Sequence, residues 1–268
     1  IASQKLKADL APLPIRQRSA AAPKLPFGIS LNTSTIRAYN LKIEDQIDFV
    51  ADAGFNGIEL WINDITNYLS QGGSLESLSG KLEARGLILE NLIGFAPWYS
   101  DDAVAREKGI EQLHHDMVVA ATLGCKYIAA PVQGIRPVEK SILDTYSERY
   151  QSILKLSDQT GVIPILELWG HGAISKLAEG AYITISTGHP AATMLLDFYH
   201  LYRGGNAWET LDLINCGKLP VIHINDFPGN PPREQLKDAD RVFPGDGICP
   251  FKMLITKLYK AGFRGSFS

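Results

Sequence analysis

From Phe27 onward the chain alternates short apolar runs with longer segments in which apolar residues recur every three or four positions. The runs cover 27–31, 57–61, 87–94, 126–132, 162–169, 193–198, 220–225 and 265–268. They are rich in Ile, Leu and Val and carry little polar alternation, so they predict parallel strands covered on both faces. Between them, Ile43, Ile47 and Val50 follow helical spacing, as do Ile142, Tyr146, Tyr150 and Ile153, and Leu254, Ile255 and Leu258. Asn206 with Glu209 predicts a capping box at the start of the sixth helix. Gly54, Gly86, Gly124, Gly161, Gly217 and Gly262 each follow a predicted helix by a residue or two, where a left-handed glycine ends the helix before the next strand.

Eight parallel strands with helical crossovers can close into a barrel or spread into an open doubly wound sheet. The open sheet places a glycine-rich nucleotide loop after its first strand. Here that position reads Asn32-Thr33-Ser34-Thr35. The pattern therefore predicts a single-domain (β/α)8 TIM barrel over residues 27–268, and a length of 268 suits it, since such barrels run to about 250 residues. Residues 1–26 mix Ala, Pro, Lys and Arg with little periodicity and read as an N-terminal arm or leader remnant. The formal net charge of -3 and the lack of a basic cluster argue against nucleic-acid and membrane partners. No apolar run is long enough to span a bilayer. Cys125, Cys216 and Cys249 form no CxxC pair, so neither a disulfide framework nor a zinc finger is expected, and all three read as small buried residues. The cytoplasm is the expected compartment, with a periplasmic or exported location the alternative if a leader preceded Ile1.

In such barrels reactive groups stand at the C-terminal ends of strands. Three consecutive strands carry a ligand-type group there: Glu167 in Ile-Leu-Glu-Leu-Trp, Asp197 in Leu-Leu-Asp-Phe-Tyr-His and His223 in Val-Ile-His-Ile-Asn-Asp. A carboxylate in an apolar strand is unfavourable unless paired or metal-bound. Closing the barrel brings neighbouring strands within about 5 Å, so the three are candidate ligands of one ion. Two carboxylates and an imidazole suit Mn2+, Co2+, Mg2+ or Zn2+. Glu59, Glu90, Asn91, Gln133, Trp169, His171, His200, Asn225 and Asp226 also fall at strand ends.

With Gly57-Ile58-Glu59-Leu60, the strand-5 Glu167, Asp197-x-x-His200, His223-Ile224-Asn225-Asp226, Asp240-Arg241 and Pro244-Gly245-Asp246-Gly247 in this order, the chain resembles the xylose isomerase-like TIM-barrel superfamily, in its sugar-phosphate isomerase/epimerase branch. The resemblance covers about residues 27–268. It implies a metal-dependent isomerase or epimerase that moves a proton next to a sugar carbonyl through an enediolate, with Glu167, Asp197 and His223 as metal ligands and Glu167 also as catalytic acid/base. A fourth ligand, a strand-8 Glu, would follow Ser268. Related families suggest His200 and Arg241 as substrate-binding groups, and Arg203 as a weaker candidate. Glu59 is either a support of the ligands or a substrate contact. Trp61, Trp98 and Trp169 are candidates for an apolar wall against a sugar face. Gly245-Asp246-Gly247 reads as a turn rather than a phosphate cradle. Family habit allows a homo-oligomer.

Two enzymatic alternatives share the fold. An apurinic-site endonuclease would need histidines near the ends of strands 3 and 4 and after Asp240-Arg241, where the chain has Pro97-Trp98, Gln133-Gly134 and Val242. A keto-sugar or keto-inositol dehydratase or lyase would use the same ligands. A non-catalytic sugar-binding barrel is the third alternative. His114 and His115 sit on a predicted helix away from the strand ends and read as surface or packing residues.

Overall fold

In this computed structural model of the protein, residues 25–134 and 139–268 are described. The arm expected over 1–26 lies outside them except for its last two residues. Eight parallel strands close into a barrel in the order β1 to β8: β1 Gly28–Asn32, β2 Gly57–Trp61, β3 Ile88–Ile93, β4 Tyr127–Pro131, β5 Ile163–Glu167, β6 Met194–Asp197, β7 Val221–His223 and β8 Ser266–Phe267. Strand β8 pairs with both β7 and β1 and completes the ring. The predicted strands are all present and begin and end within a few residues of the predicted limits, the last ones frayed into loop.

The helices pack outside: α1 Ile43–Asp52, α2 Ile62–Ser70, α3 Leu75–Ala84, α4 Ala103–Thr122, α5 Lys140–Leu154, α6 Ser157–Thr160, α7 Leu177–Ser186, α8 Phe198–Arg203 and α9 Phe251–Lys260. The residues singled out by spacing are the ones buried: Ile43, Ile47 and Val50 in α1, Tyr146, Tyr150 and Ile153 in α5, Leu254 and Leu258 in α9. Gly54, Gly86, Gly124, Gly161 and Gly262 end their helices with φ between 65° and 95°, as their positions predict. Gly217 does not. It lies inside a 3-10 turn, Cys216–Lys218, and abuts Gly262. The expected capping box at Asn206 and Glu209 also fails. Trp208–Leu213 is 3-10, its N-cap is Ala207, and no side chain caps it. Asn206 instead ties two loops together: its Oδ1 accepts from the Leu177 N–H at 2.7 Å and its Nδ2 donates to the carbonyls of Ser175 and Leu201. A short polar side chain at a chain reversal serves neighbouring backbone as readily as its own helix.

The period-2 alternation of strand side chains sorts the core into two parts. Outward residues such as Ile128, Leu166, Leu196 and Ile222 join the large cluster between strands and helices. Inward residues Ile93, Ala129, Ile165, Leu195 and Val221 form a separate plug inside the barrel. Two positions beyond Ile165, Leu195 and Val221 come Glu167, Asp197 and His223, on the same inward face above the plug. All three cysteines are buried.

One strand departs from the usual rules. Pro164 sits within β5, where it brings no N–H to the ladder. The buried Tyr150 hydroxyl from α5 stands there instead, donating between the carbonyls of Pro164 (2.8 Å) and Thr193 (2.9 Å). It links the starts of β5 and β6, a pair with only two register partners of its own, Leu166↔Met194 and Glu167↔Leu195.

Candidate metal and substrate site

His223 is the centre of the arrangement. Its Nε2 lies 3.1 Å from Glu59 Oε2, and its Nδ1 lies 3.9 Å from Glu167 Oε1 and 3.8 Å from Asp197 Oδ2. Asp197 and His223 are register partners on β6 and β7. Glu167 is opposite Leu195, two residues lower on the ladder. The extra methylene of glutamate makes up that step. With ligand bonds of about 2.0–2.2 Å, donor atoms around one ion stand roughly 3–4 Å apart, so both His223 distances suit a shared cation, whereas the Glu167 and Asp197 oxygens that face Nδ1 stand more than 4.8 Å from one another and would have to close on it.

Glu59 reaches His223 because of a bulge. The β2–β3 register slips between Ile58 and Glu59, so that Ile58 opposes Leu89 but Glu59 opposes Asn91. Asn91 Nδ2 donates to Glu59 Oε2 at 2.8 Å. Glu59 is 0% exposed and does not line the cavity. Of its two expected roles, the structure favours the support of a ligand: Glu59 fixes the far nitrogen of the imidazole and leaves Nδ1 facing the other two carboxylates.

The charge pattern follows from burial. Burial raises the Glu167 carboxyl, and Asp197 and Glu59 add to that while His223 and Trp169 oppose it, leaving it at about 7. Burial alone would depress His223, but Glu59, then Asp197 and Glu167, outweigh it and lift the imidazole to about 9. Burial likewise works against ionised Asp197, yet Arg241 first, with His223 and Asn225, holds it below its ordinary value. Three buried carboxylates thus face one imidazole and one guanidinium. A divalent cation would balance the remaining negative charge, so the residues present fit a metal.

Asp197 is held from every side. Its Oδ1 accepts from the Tyr199 and His200 N–H groups at the start of α8, and its Oδ2 accepts from Asn225 Nδ2 at 2.7 Å with Arg241 Nη1 at 3.5 Å. Among the described residues, the only His, Cys, Asp or Glu trio whose donor atoms all lie within 4.8 Å of one another is a different one, His171, His200 and Asp238. Its space is already taken by a cation. Arg241 Nη2 is 2.8 Å from Asp238 Oδ1 and 3.1 Å from His200 Nε2. A guanidinium there repels a metal, so this trio reads as a frame for Arg241.

Around these groups opens a cavity of about 880 Å³. Of the residues singled out from sequence, Trp61, Glu167, Trp169, His171, Asp197, His200, His223, Asn225 and Arg241 line it. Trp98 does not: it is buried against Tyr99 and Tyr150. Arg203 is likewise absent from the walls, its Nε donating to the Leu236 carbonyl at 2.9 Å. Gly245-Asp246-Gly247 is a turn with its donors in use, since the N–H groups of Gly245 and Gly247 both donate to Asp226 Oδ2 at 2.9 Å. Asp226 Oδ1 also accepts from Phe227 and Cys249. Asn32 and Arg37 on the β1 loop line the cavity and were not singled out by sequence. An aromatic wall runs from Trp61 through Phe95 to Trp169, with ring centroids 5.4 and 5.9 Å apart. Ser268 lines the same cavity.

The chain has relatives among known proteins. The chain is 25% identical over 240 residues to a putative hydroxypyruvate isomerase of Streptomyces coelicolor, which covers 80% of each protein. It is 30% identical over 155 residues to the inosose isomerase of Bacillus subtilis, 55% of this chain and 54% of that one. Among solved structures, that of the IolI protein with a binding zinc atom superposes with a TM-score of 0.83 at 21% identity, over 90% of this chain and 87% of the other. The family described as the xylose isomerase-like TIM barrel matches residues 47–268, and the chain belongs to that family.

Proposed function

We propose that the protein is a metal-dependent isomerase or epimerase of a keto-sugar, in which Glu167, Asp197 and His223 hold a divalent cation and Glu167 moves a proton on the carbon next to the carbonyl. The observation that carries this reading is the set of donor atoms around His223 Nδ1, two carboxylate oxygens at 3.9 and 3.8 Å, with the other ring nitrogen fixed by Glu59. A cation held there would polarise the substrate carbonyl and balance the negative charge that develops when the adjacent C–H ionises. Burial favours the protonated form of Glu167 and a bound cation would oppose it, so the carboxyl can both take and return a proton. The names of the relatives, hydroxypyruvate isomerase and inosose isomerase, support this class of reaction.

His200 and Arg241 supply the substrate-binding end. His200 Nδ1 accepts from the Gly170 N–H at 3.2 Å while its Nε2 meets Arg241 Nη2 at 3.1 Å. A neutral imidazole has one proton, so whichever nitrogen carries it, one of the two contacts sets donor against donor. Burial, with the Arg241 charge, pushes His200 down to about 3 against the pull of Asp197, so it is neutral. The Gly170 amide is fixed backbone. The relief therefore falls on the Arg241 side, where a substrate oxygen entering between Nε2–H and the guanidinium would accept from both. Trp169, stacked on His200 with 6.1 Å between centroids, offers its face to the sugar.

The test is metal content followed by isotope exchange. The full-length protein is expected to bind one Mn2+ or Zn2+ and, in D2O, to incorporate deuterium next to the carbonyl of at least one member of a keto-sugar, inosose and hydroxypyruvate panel. Glu167→Gln is expected to abolish exchange. No metal bound, or no exchange with any of the panel, overturns the reading. Loss of water from the substrate in place of exchange would move the assignment to a dehydratase on the same ligands.

A further inference from the structure

We propose that Arg37 and Trp61 form a distal subsite that holds an anionic group of the substrate, a carboxylate or a phosphate, across the barrel mouth from Glu167. The cavity has two arginines in its walls. Arg241 is occupied by Asp238 at 2.8 Å and lies 3.5 Å from Asp197. Arg37 meets no carboxylate within ion-pair distance among the described residues. Its guanidinium carbon instead lies over the Trp61 ring, 4.2 Å from the centroid.

The platform is built in advance. Asn32 Oδ1 accepts both the indole N–H of Trp61, at 2.9 Å, and the backbone N–H of Ser34, at 3.0 Å. One side chain thereby fixes the ring and caps the turn Thr33–Tyr39 that carries Arg37. A guanidinium held over an indole face by its π-system spends no N–H group on a carboxylate, so its N–H fork can match two oxygens of a carboxylate or phosphate. Hydroxyl-bearing Ser34 and Thr35 line the same end of the cavity.

The placement also fits. Arg37 follows β1 and Glu167 ends β5, which are opposite strands of the eight-strand ring. Trp61, Phe95 and Trp169 lie between them as a wall that suits a carbon skeleton. A keto-sugar with its carbonyl near Glu167 and His223 would extend its far end toward Arg37. A neutral sugar leaves that charge unanswered, whereas a sugar acid or a sugar phosphate answers it. The proposal rests on the keto-sugar reading for the direction of the ligand, but its test reads binding and needs no turnover.

Isothermal titration of the full-length protein, loaded with Mn2+ and at constant ionic strength, compares two matched pairs: D-gluconate with D-glucitol, and D-ribulose 5-phosphate with D-ribulose. At least one anionic member is expected to bind about tenfold more tightly than its neutral partner, the low end for a charge-assisted pair at a partly exposed site. Preference in the first pair alone assigns a carboxylate, and in the second alone a phosphate. Arg37→Gln should remove the preference while changing affinity for the neutral member less than about twofold. Arg37→Glu should invert it, and near-UV circular dichroism checks that both variants are folded. The proposal is overturned if the wild-type protein shows no preference in either pair, if Arg37→Gln keeps it, or if that variant weakens charged and neutral ligands equally. Failure of isotope exchange with these results intact would count against the isomerase reading alone.

Discussion

Replacing Glu59 by Gln tests the support of the proposed metal ligand His223 without emptying space. The carboxylate is fully buried, and Asn91 Nδ2 at 2.8 Å and His223 Nε2 at 3.1 Å converge on one oxygen, Oε2, with the Ser268 hydroxyl also bearing on the carboxylate. A glutamine carbonyl can take that place, and its amide nitrogen then stands where Oε1, which has no partner, now lies. Shape and both incoming bonds are kept while the charge is lost. Glu59 is the strongest of the groups that lift His223 to about 9, so its loss lowers the imidazole and weakens its grip on orientation. Loss of such a supporting partner reduces metal affinity about 10- to 100-fold, which is about 1.4–2.8 kcal/mol. Competitive titration of Zn2+ or Mn2+ against a chromophoric chelator above pH 9, where His223 has lost its proton in both wild-type protein and Glu59→Gln and proton competition no longer differs, gives the ratio directly. Far-UV circular dichroism confirms the fold. A variant that binds metal within twofold of wild type would refute the role assigned to Glu59, and binding lost together with the fold would show that the carboxylate serves stability alone.

Three further outcomes are expected. Metal binding should release protons and tighten as pH rises from about 6 to 9, because Glu167, raised to about 7, must lose its proton and His223, raised to about 9, must become neutral before either can act as a ligand; affinity that is flat across that window would contradict the assignment. Asp226→Ala strips four backbone N–H groups of their acceptor, each bond to a charged group being worth about 1.5–3 kcal/mol, so the variant should lose at least roughly 3 kcal/mol in urea unfolding and expose the 242–249 segment to protease. Gly109→Ala in α4 would set a Cβ 2.6 Å from the Pro97 carbonyl carbon; since backbone cannot swing aside, overpacking of about 1–3 kcal/mol should exceed the helix-propensity gain of at most ~1 kcal/mol and lower the melting temperature.

The barrel and the placement of Glu167, Asp197 and His223 are legible in the sequence because both depend on short-range rules. Apolar runs bounded by left-handed glycines announce strands, and period-2 alternation puts a residue two positions beyond Ile165, Leu195 or Val221 on the same inward face. The roles of Glu59, Arg37 and Asp226 depend on contacts that no local pattern encodes. Glu59 meets His223 across 164 positions of sequence, and only after a bulge in β3 re-aims its neighbour Asn91. Trp98 and Trp169 read alike as tryptophans near strand ends, yet one turns into the helix layer and the other into the mouth. Arg203 looked like an oxyanion group, but a carbonyl in an aperiodic loop, that of Leu236, claims its Nε. The Asn206 capping signature failed for the same reason, since loops that meet only in the folded chain outbid the local motif.

The phenol of Tyr150 has a consequence beyond packing. It spans the bottom of the β5–β6 seam whose upper ends carry Glu167 and Asp197. There it adds a side-chain bond at the foot of a seam otherwise held by backbone pairs, including Leu166 N–H to the Thr193 carbonyl and Leu168 N–H to the Leu195 carbonyl. Removing one hydroxyl, as Tyr150→Phe, would therefore leave the carbonyls of Pro164 and Thr193 without that donor and slacken the foot of the seam whose tips carry the two acids, with no atom of the site itself altered.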